Sequence, residues 1–95
     1  MQLKDTERID DLQYNGLRLI QYANQFCFGC DAVELANFVS GPKGAKAYDL
    51  GAGNGIISVL LAAKKNMRVT AVEIQPAAAT LCERNAKLNG LEDKI

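Results

Sequence analysis

One stretch limits the fold more than any other: Asp49-Leu50-Gly51-Ala52-Gly53-Asn54-Gly55. Ala45 to Leu50 reads as a short strand. Ile56 to Lys65 reads as a helix, apolar on most faces and ending in Lys64-Lys65, which suits the negative end of a helix dipole. Glycines between a strand and a helix let the backbone take positive φ and pass close to a ligand. The helix start adds unpaired N–H groups and partial positive charge. A strand running through such a loop into a helix is the opening of an α/β sheet.

The chain beyond the loop repeats the alternation. Asn66 is a left-handed stop. Arg68 to Glu73 reads as a second strand, and Val69, Ala71 and Val72 make it largely apolar, as buried parallel strands are. Pro76 suits a first helical turn. Ala77 to Leu88 follows as a helix closed by Asn89-Gly90. Leu91 to Ile95 reads as the approach to a third strand. Glu73 comes 22 residues after Gly51. A carboxylate there can accept both hydroxyls of an adenosine ribose, a site that dinucleotide and other nucleoside folds use. The loop and Glu73 would both lie at the carboxyl ends of parallel strands, where open α/β sheets place their ligands.

The N-terminal part has a different character. Asn15-Gly16 is a turn pair in which both positions tolerate positive φ, so residues 9–21 read as a β-hairpin with Leu17 and Leu19 on its apolar side. Asp31 reads as the cap of the next helix, with Glu34 three residues on. Leu35, Phe38 and Val39 form that helix's apolar stripe. Gly41-Pro42-Lys43-Gly44 ends it. Residues 1–44 are therefore expected to be an appendage, a hairpin plus a helix, and residues 45–95 the first half of a ligand-binding domain.

The loop also discriminates between ligands. The dinucleotide fingerprint G-x-G-x-x-G needs a third glycine at position 56, which is Ile56. The chain has G-x-G-x-G instead, with Asp49 two residues ahead. That carboxylate would repel a pyrophosphate, whereas it can interact with an ammonium group. Asp49, Gly51, Gly53 and Gly55 resemble the first motif of the Rossmann-like S-adenosylmethionine-dependent methyltransferases, acidic-x-Gly-x-Gly-x-Gly. The resemblance implies that Asp49 meets the cofactor's ammonium group, that Gly51, Ala52 and Gly53 give backbone contacts to its methionine part, and that Glu73 takes the ribose hydroxyls.

More of the chain is similar to a narrower group, the bacterial tRNA(Val) adenine-amino methyltransferase-like branch of the "small domain" methyltransferases. Glu7 to Leu12, Phe26-Cys27-Phe28-Gly29-Cys30-Asp31-Ala32, Leu35 to Phe38 and Glu83 to Leu91 carry that similarity. It implies that the segment holding Phe28 and Asp31 folds over the methionine end of the cofactor. This branch places an Asn-Pro-Pro-Tyr-type motif after a fourth strand, to hold the amino group being methylated. The chain has no Asn-Pro pair, and its prolines are Pro42 and Pro76. The expectation is an α/β chain holding the N-terminal half of a Rossmann-like methyltransferase sheet, with the cofactor side of the site and none of the catalytic motif. An RNA partner would then be held by the part beyond Ile95.

Other readings stand beside these. Asp49 can also be a structural carboxylate capping backbone N–H groups, and Glu73 a solvated charge at a strand end. Phe26 and Phe28 suit core packing as well as stacking. Cys27 and Cys30 read as reduced thiols, the alternatives being a redox pair or half a zinc site. Cys82 reads as a small buried hydrophobe. Lys64, Lys65 and Arg68 suit a helix-end cluster better than an RNA contact. Eleven basic residues balance eleven acidic ones over 95 residues, which gives no basic excess for nucleic acid on this part. No apolar run is long enough to span a membrane, no metal-ligand set is evident, and three cysteines without a leader point to the cytoplasm. Two strands and their helices would leave sheet surface uncovered, so self-association is expected. The alternatives to a methyltransferase are a non-catalytic fragment or binding module, and a nicotinamide-dependent oxidoreductase fragment.

Overall fold

The computed structural model describes residues 3–12, 14–22 and 30–95. Phe26, Cys27 and Phe28 lie outside the described residues. Two two-stranded sheets and three helices make up the rest: β1 (Glu7–Asp11), β2 (Arg18–Tyr22), α1 (Cys30–Phe38), β3 (Lys46–Leu50), α2 (Ile56–Lys64), β4 (Arg68–Val72) and α3 (Pro76–Leu88). β1 and β2 are antiparallel, with Ile9 opposite Ile20. Asn15 and Gly16, at φ 49° and 71°, make the expected turn between them. β3 and β4 are parallel, with Asp49 opposite Ala71 and Leu50 opposite Val72. The β-loop-α-β-α order read from the sequence is thus present.

Helix ends follow local chemistry. Asn66 takes φ 55° after α2 and Gly90 takes φ 67° after α3, the left-handed stops that free a chain from a helix. Lys64 donates to Asn37 Oδ1 at 2.8 Å, and Lys65 to the Asn37 carbonyl at 3.0 Å. Lys64 also sits 4.7 Å from the centre of the Tyr14 ring. These bases therefore tie the end of α2 to the end of α1 and to the hairpin. Because both C-terminal ends meet, the two packed helices run the same way, and the Asp31 end of α1 lies toward the glycine loop.

The core gathers Leu17 and Leu19 of the hairpin region, Ala36 of α1, Ile56, Val59, Leu60 and Leu61 of α2, Met67 and Val69. Two expectations need correction here. Of the apolar stripe expected for α1, Leu35, Phe38 and Val39, only Val39 packs against the core. Ala36 is the buried residue, with Ala32, Val33 and Val39 packed around it, while Leu35 is 53% and Phe38 85% exposed. Small side chains let α1 lie close against α2, which turns the larger pair outward. Asp31 is not the cap either: the helix begins at Cys30, so its carboxylate stands in the first turn, where the helix dipole still favours it. Leu91 to Lys94 forms a turn, and the Lys94 carbonyl accepts the Val69 N–H at 2.7 Å. The chain thus reaches the free edge of β4, where a further strand would pair.

The hairpin is held by buried polar contacts. Glu7 is fully covered, and Arg84 of α3 donates to both its oxygens, at 2.5 and 2.9 Å. The Arg84 hydrogen bond outweighs burial and pulls the Glu7 carboxyl from an ordinary 4.5 down to about 2. A folded-state value below the unfolded one means that this contribution to stability is present above about pH 4.5 and is lost as pH falls toward 2. Glu7→Gln is expected to cost about 2 kcal/mol at neutral pH, the scale of a hydrogen bond to a charged group. The gap to the parent should shrink near pH 2.5. Urea unfolding at the two pH values checks this, and an equal gap at both would refute the assignment.

Candidate functional site

The loop leaves β3 at Leu50 and enters α2 at Ile56. Its path is fixed by backbone bonds to β4: the N–H groups of Gly51 and Ala52 both donate to the Val72 carbonyl, at 2.8 and 3.0 Å. Gly53 donates its N–H to Glu73 Oε1 at 2.8 Å, and the other Glu73 oxygen accepts the Gln75 N–H at 2.9 Å. The Gln75 bond first, then the Gly53 bond, holds the Glu73 carboxyl below the usual carboxylate range, so it is ionised at neutral pH. Asp49 lies half-buried and accepts the Ser58 hydroxyl at 2.7 Å. Among the described residues its hydrogen-bond partner is thus a side chain of α2.

The three glycines serve different ends. Gly51 and Gly53 take φ 69° and 58°, and a Cβ built on either would meet nothing within 4 Å. Their missing side chains leave open space beside the loop, where a ligand can approach the backbone. Gly55, at φ 91°, faces inward: a Cβ there would fall 2.7 Å from Cys82 Sγ. It is a packing glycine that lets the loop press on α3, and Ile56 beside it is buried in the core. Ala52 is buried as well. Burial, with the negative charge of Asp49 next, pushes the Cys82 thiol up. It stays protonated and packs as the small apolar group expected of it.

A cavity of about 220 Å³ opens between this loop and the hairpin, walled by Gln21, Tyr22, Gly53, Asn54, Glu73 and Gln75. A second space of about 430 Å³ runs between the outer edge of β4 and α3, with Ala71, Glu73, Cys82 and Glu83 in its wall. Glu73 borders both. Asp49, Gly51, Ala52, Gly53 and Glu73 are therefore brought together around one loop. Asp31 sits on the neighbouring helix, and Phe28 is outside the described residues. Among the described residues no group of three or more His, Cys, Asp and Glu side chains could hold a metal ion, and no helix is long and apolar enough to cross a membrane.

Sequence reasoning missed the polar frame behind the loop. Asn85 is fully buried. It accepts the Ile20 N–H at 2.6 Å and donates to the carbonyls of Ile20 and Asn54, at 3.0 and 2.7 Å. Asn89 repeats the pattern one turn on, accepting from the Arg18 N–H and donating to its carbonyl. Two asparagines four residues apart thus close the free edge of β2 as a neighbouring strand would. The available signal was their spacing, since asparagine is a poor helix former unless its side chain has work elsewhere.

The model of the methyltransferase small domain family matches residues 32–95. Among curated relatives, the tRNA1(Val) (adenine(37)-N6)-methyltransferase of Shewanella amazonensis is 34% identical over 74 residues, 72% of this chain and 32% of the relative. The ribosomal protein L11 methyltransferase of Caldicellulosiruptor bescii is 44% identical over 54 residues, covering 55% of this chain and 17% of the relative. Among solved structures, Methanocaldococcus jannaschii TYW2 in complex with AdoMet superposes with a TM-score of 0.76 at 25% identity. That superposition covers 100% of this chain and 44% of TYW2. The chain thus spans less than half the length of each of these proteins.

Proposed function

Because the chain belongs to the methyltransferase small domain family, we propose that it forms the S-adenosylmethionine-binding part of an enzyme that methylates an adenine amino group in tRNA or another RNA. One observation carries the cofactor reading. Two open, positive-φ glycines and an ionised strand-end carboxylate meet at the carboxyl ends of two parallel strands. A Cβ at Gly51 or Gly53 would occupy that cradle, so the residues present fit the cofactor. Gly51, Gly53 and Glu73 would hold it, with Asp49 near its ammonium group. The cofactor supplies a methyl group already activated on a sulfonium. The chain's own part is to bind and orient it.

The tRNA(Val) relative supports the RNA reading of the acceptor. The ribosomal protein L11 methyltransferase favours a second reading, a protein acceptor. Transfer of labelled methyl from S-adenosylmethionine by the complete protein, to unmodified tRNA or to ribosomal protein, decides between them. Label in tRNA that nucleoside digestion releases as N6-methyladenosine is the expected result. Label only in protein would refute the RNA proposal.

The cofactor reading has its own check. Glu73→Ala is expected to raise the dissociation constant for S-adenosylmethionine roughly tenfold or more, the scale of hydrogen bonds to an ionised group. Titration calorimetry measures it, and unchanged affinity would remove Glu73 from the site. The proposal also places the protein in the cytoplasm. It further holds that the exposed apolar row of Tyr48, Leu50, Val72 and Ile74 drives self-association when nothing else covers it. Sedimentation showing a stable monomer would refute that last point.

A further inference from the structure

We propose that Gln21 is a positioning residue for the glycine loop, the middle link of a one-way hydrogen-bond relay from the hairpin to the start of α2. The relay rests on the cofactor reading above and deepens it. Asp10 of β1 anchors one end, with Oδ2 accepting Arg8 Nε at 2.8 Å and Gln21 Nε2 at 2.5 Å. Gln21 is almost fully buried in the wall of the cavity beside Gly53 and Glu73. Its Oε1 accepts Asn54 Nδ2 at 3.3 Å, and Asn54 Oδ1 accepts the Ile56 N–H at 3.1 Å.

The direction is dictated by chemistry. An ionised carboxylate can only accept, so Gln21 must turn its NH2 toward Asp10 and its oxygen toward Asn54. Asn54 must then present its NH2 to Gln21 and its oxygen to Ile56. That last bond satisfies one of the unpaired N–H groups at the start of α2. Asn54 is the residue between Gly53 and Gly55, so the relay fixes the tip of the loop without Asp10 lying in the cavity wall. An amide that flipped would set two donors or two acceptors against each other and release the tip.

The test uses the complete protein and two readouts. Asp10→Ala removes the anchor. It is expected to move the Ile56 amide and Asn54 side-chain resonances in the ligand-free protein, and to raise the dissociation constant for S-adenosylmethionine about three- to tenfold, the worth of the one amide–amide hydrogen bond, Gln21 to Asn54, through which the anchor reaches the loop. Asp10→Asn, whose amide oxygen still accepts, should restore both. Gln21→Leu should weaken binding by a similar factor, and adding Asp10→Ala to it should change nothing more, since the two act through one relay. Additive losses, no rescue by Asp10→Asn, or a change in one readout without the other would overturn the proposal. If the parent protein fails to bind the cofactor, the cofactor reading falls, and the resonance shifts alone decide the relay.

Discussion

Gly53→Val is expected to bring S-adenosylmethionine binding below detection, about a hundredfold loss or more, equivalent to at least ~2.7 kcal/mol. Two effects combine. Gly53 sits at φ 58°, where a β-branched side chain costs about 1–3 kcal/mol of backbone strain. Its new side chain would also point into space that no protein atom occupies within 4 Å, the space the cofactor reading assigns to the ligand. Gly53→Ala separates the two, because it keeps most of the backbone strain and adds only one methyl group. The expected order of affinity is parent, then Ala, then Val, in titration calorimetry with S-adenosylmethionine and S-adenosylhomocysteine. Gly55→Ala gives the contrast. Its Cβ would press on Cys82, so it should lower the unfolding midpoint through packing. If Val at position 53 binds as well as the parent does, the loop is an ordinary strand–helix turn.

What could be read from the sequence was what local chemistry decides. The Asn15-Gly16 turn, the Asn66 and Gly90 stops and the loop between β3 and α2 each depend on a residue's own backbone preferences. Glu73 was legible because its distance from the first glycine is set by one helix and one strand. Pairing across the chain was not legible in this way. Glu7 and Arg84 are 77 positions apart, and nothing local marks either as a partner. The stripe of α1 misled because Leu35 and Phe38 have the stronger apolar character. The helix buries the smaller Ala36 instead, and close approach to α2 outweighs side-chain size. Gly55 shows a subtler limit. It matches the loop motif as well as its neighbours do, but only the position of Cys82 assigns it to packing.

The same geometry explains why a hairpin from outside the parallel sheet belongs to the site. Leu19, Ile20 and Gln21 are all buried, so β2 is enclosed on both faces, where the sequence pattern pointed to one apolar side. Its outer edge would leave backbone groups unpaired in that interior, at a cost of about 1–3 kcal/mol each. The asparagines of α3 satisfy them, and one of them also holds the loop. The hairpin, the loop and α3 are in this way a single polar frame around the cavity, and the frame should fail as a unit.

Asn85→Leu is therefore expected to destabilise the protein by about 4 kcal/mol, more than its change in volume would suggest. Leucine fills nearly the same space but leaves three groups without these partners: the buried Ile20 N–H and Ile20 carbonyl, and the half-buried Asn54 carbonyl. At about 1–3 kcal/mol each, partly relieved by local rearrangement, the sum is a large share of the ~5–15 kcal/mol that holds a typical domain together. Asn85→Asp discriminates further. It keeps an acceptor for the Ile20 N–H but sets a carboxylate against two carbonyl oxygens, so it should be at least as damaging at neutral pH and should recover as the carboxylate is protonated. Asn89→Ala, on the exposed end of the same ladder, should cost about 1 kcal/mol. Urea unfolding gives the three stabilities. Hydrogen exchange at the Ile20 amide reports whether β2 detaches before the rest. Protection at Ile20 that survives Asn85→Leu would mean that β2 is held by its apolar side chains alone, and that the asparagine ladder follows from the packing instead of creating it.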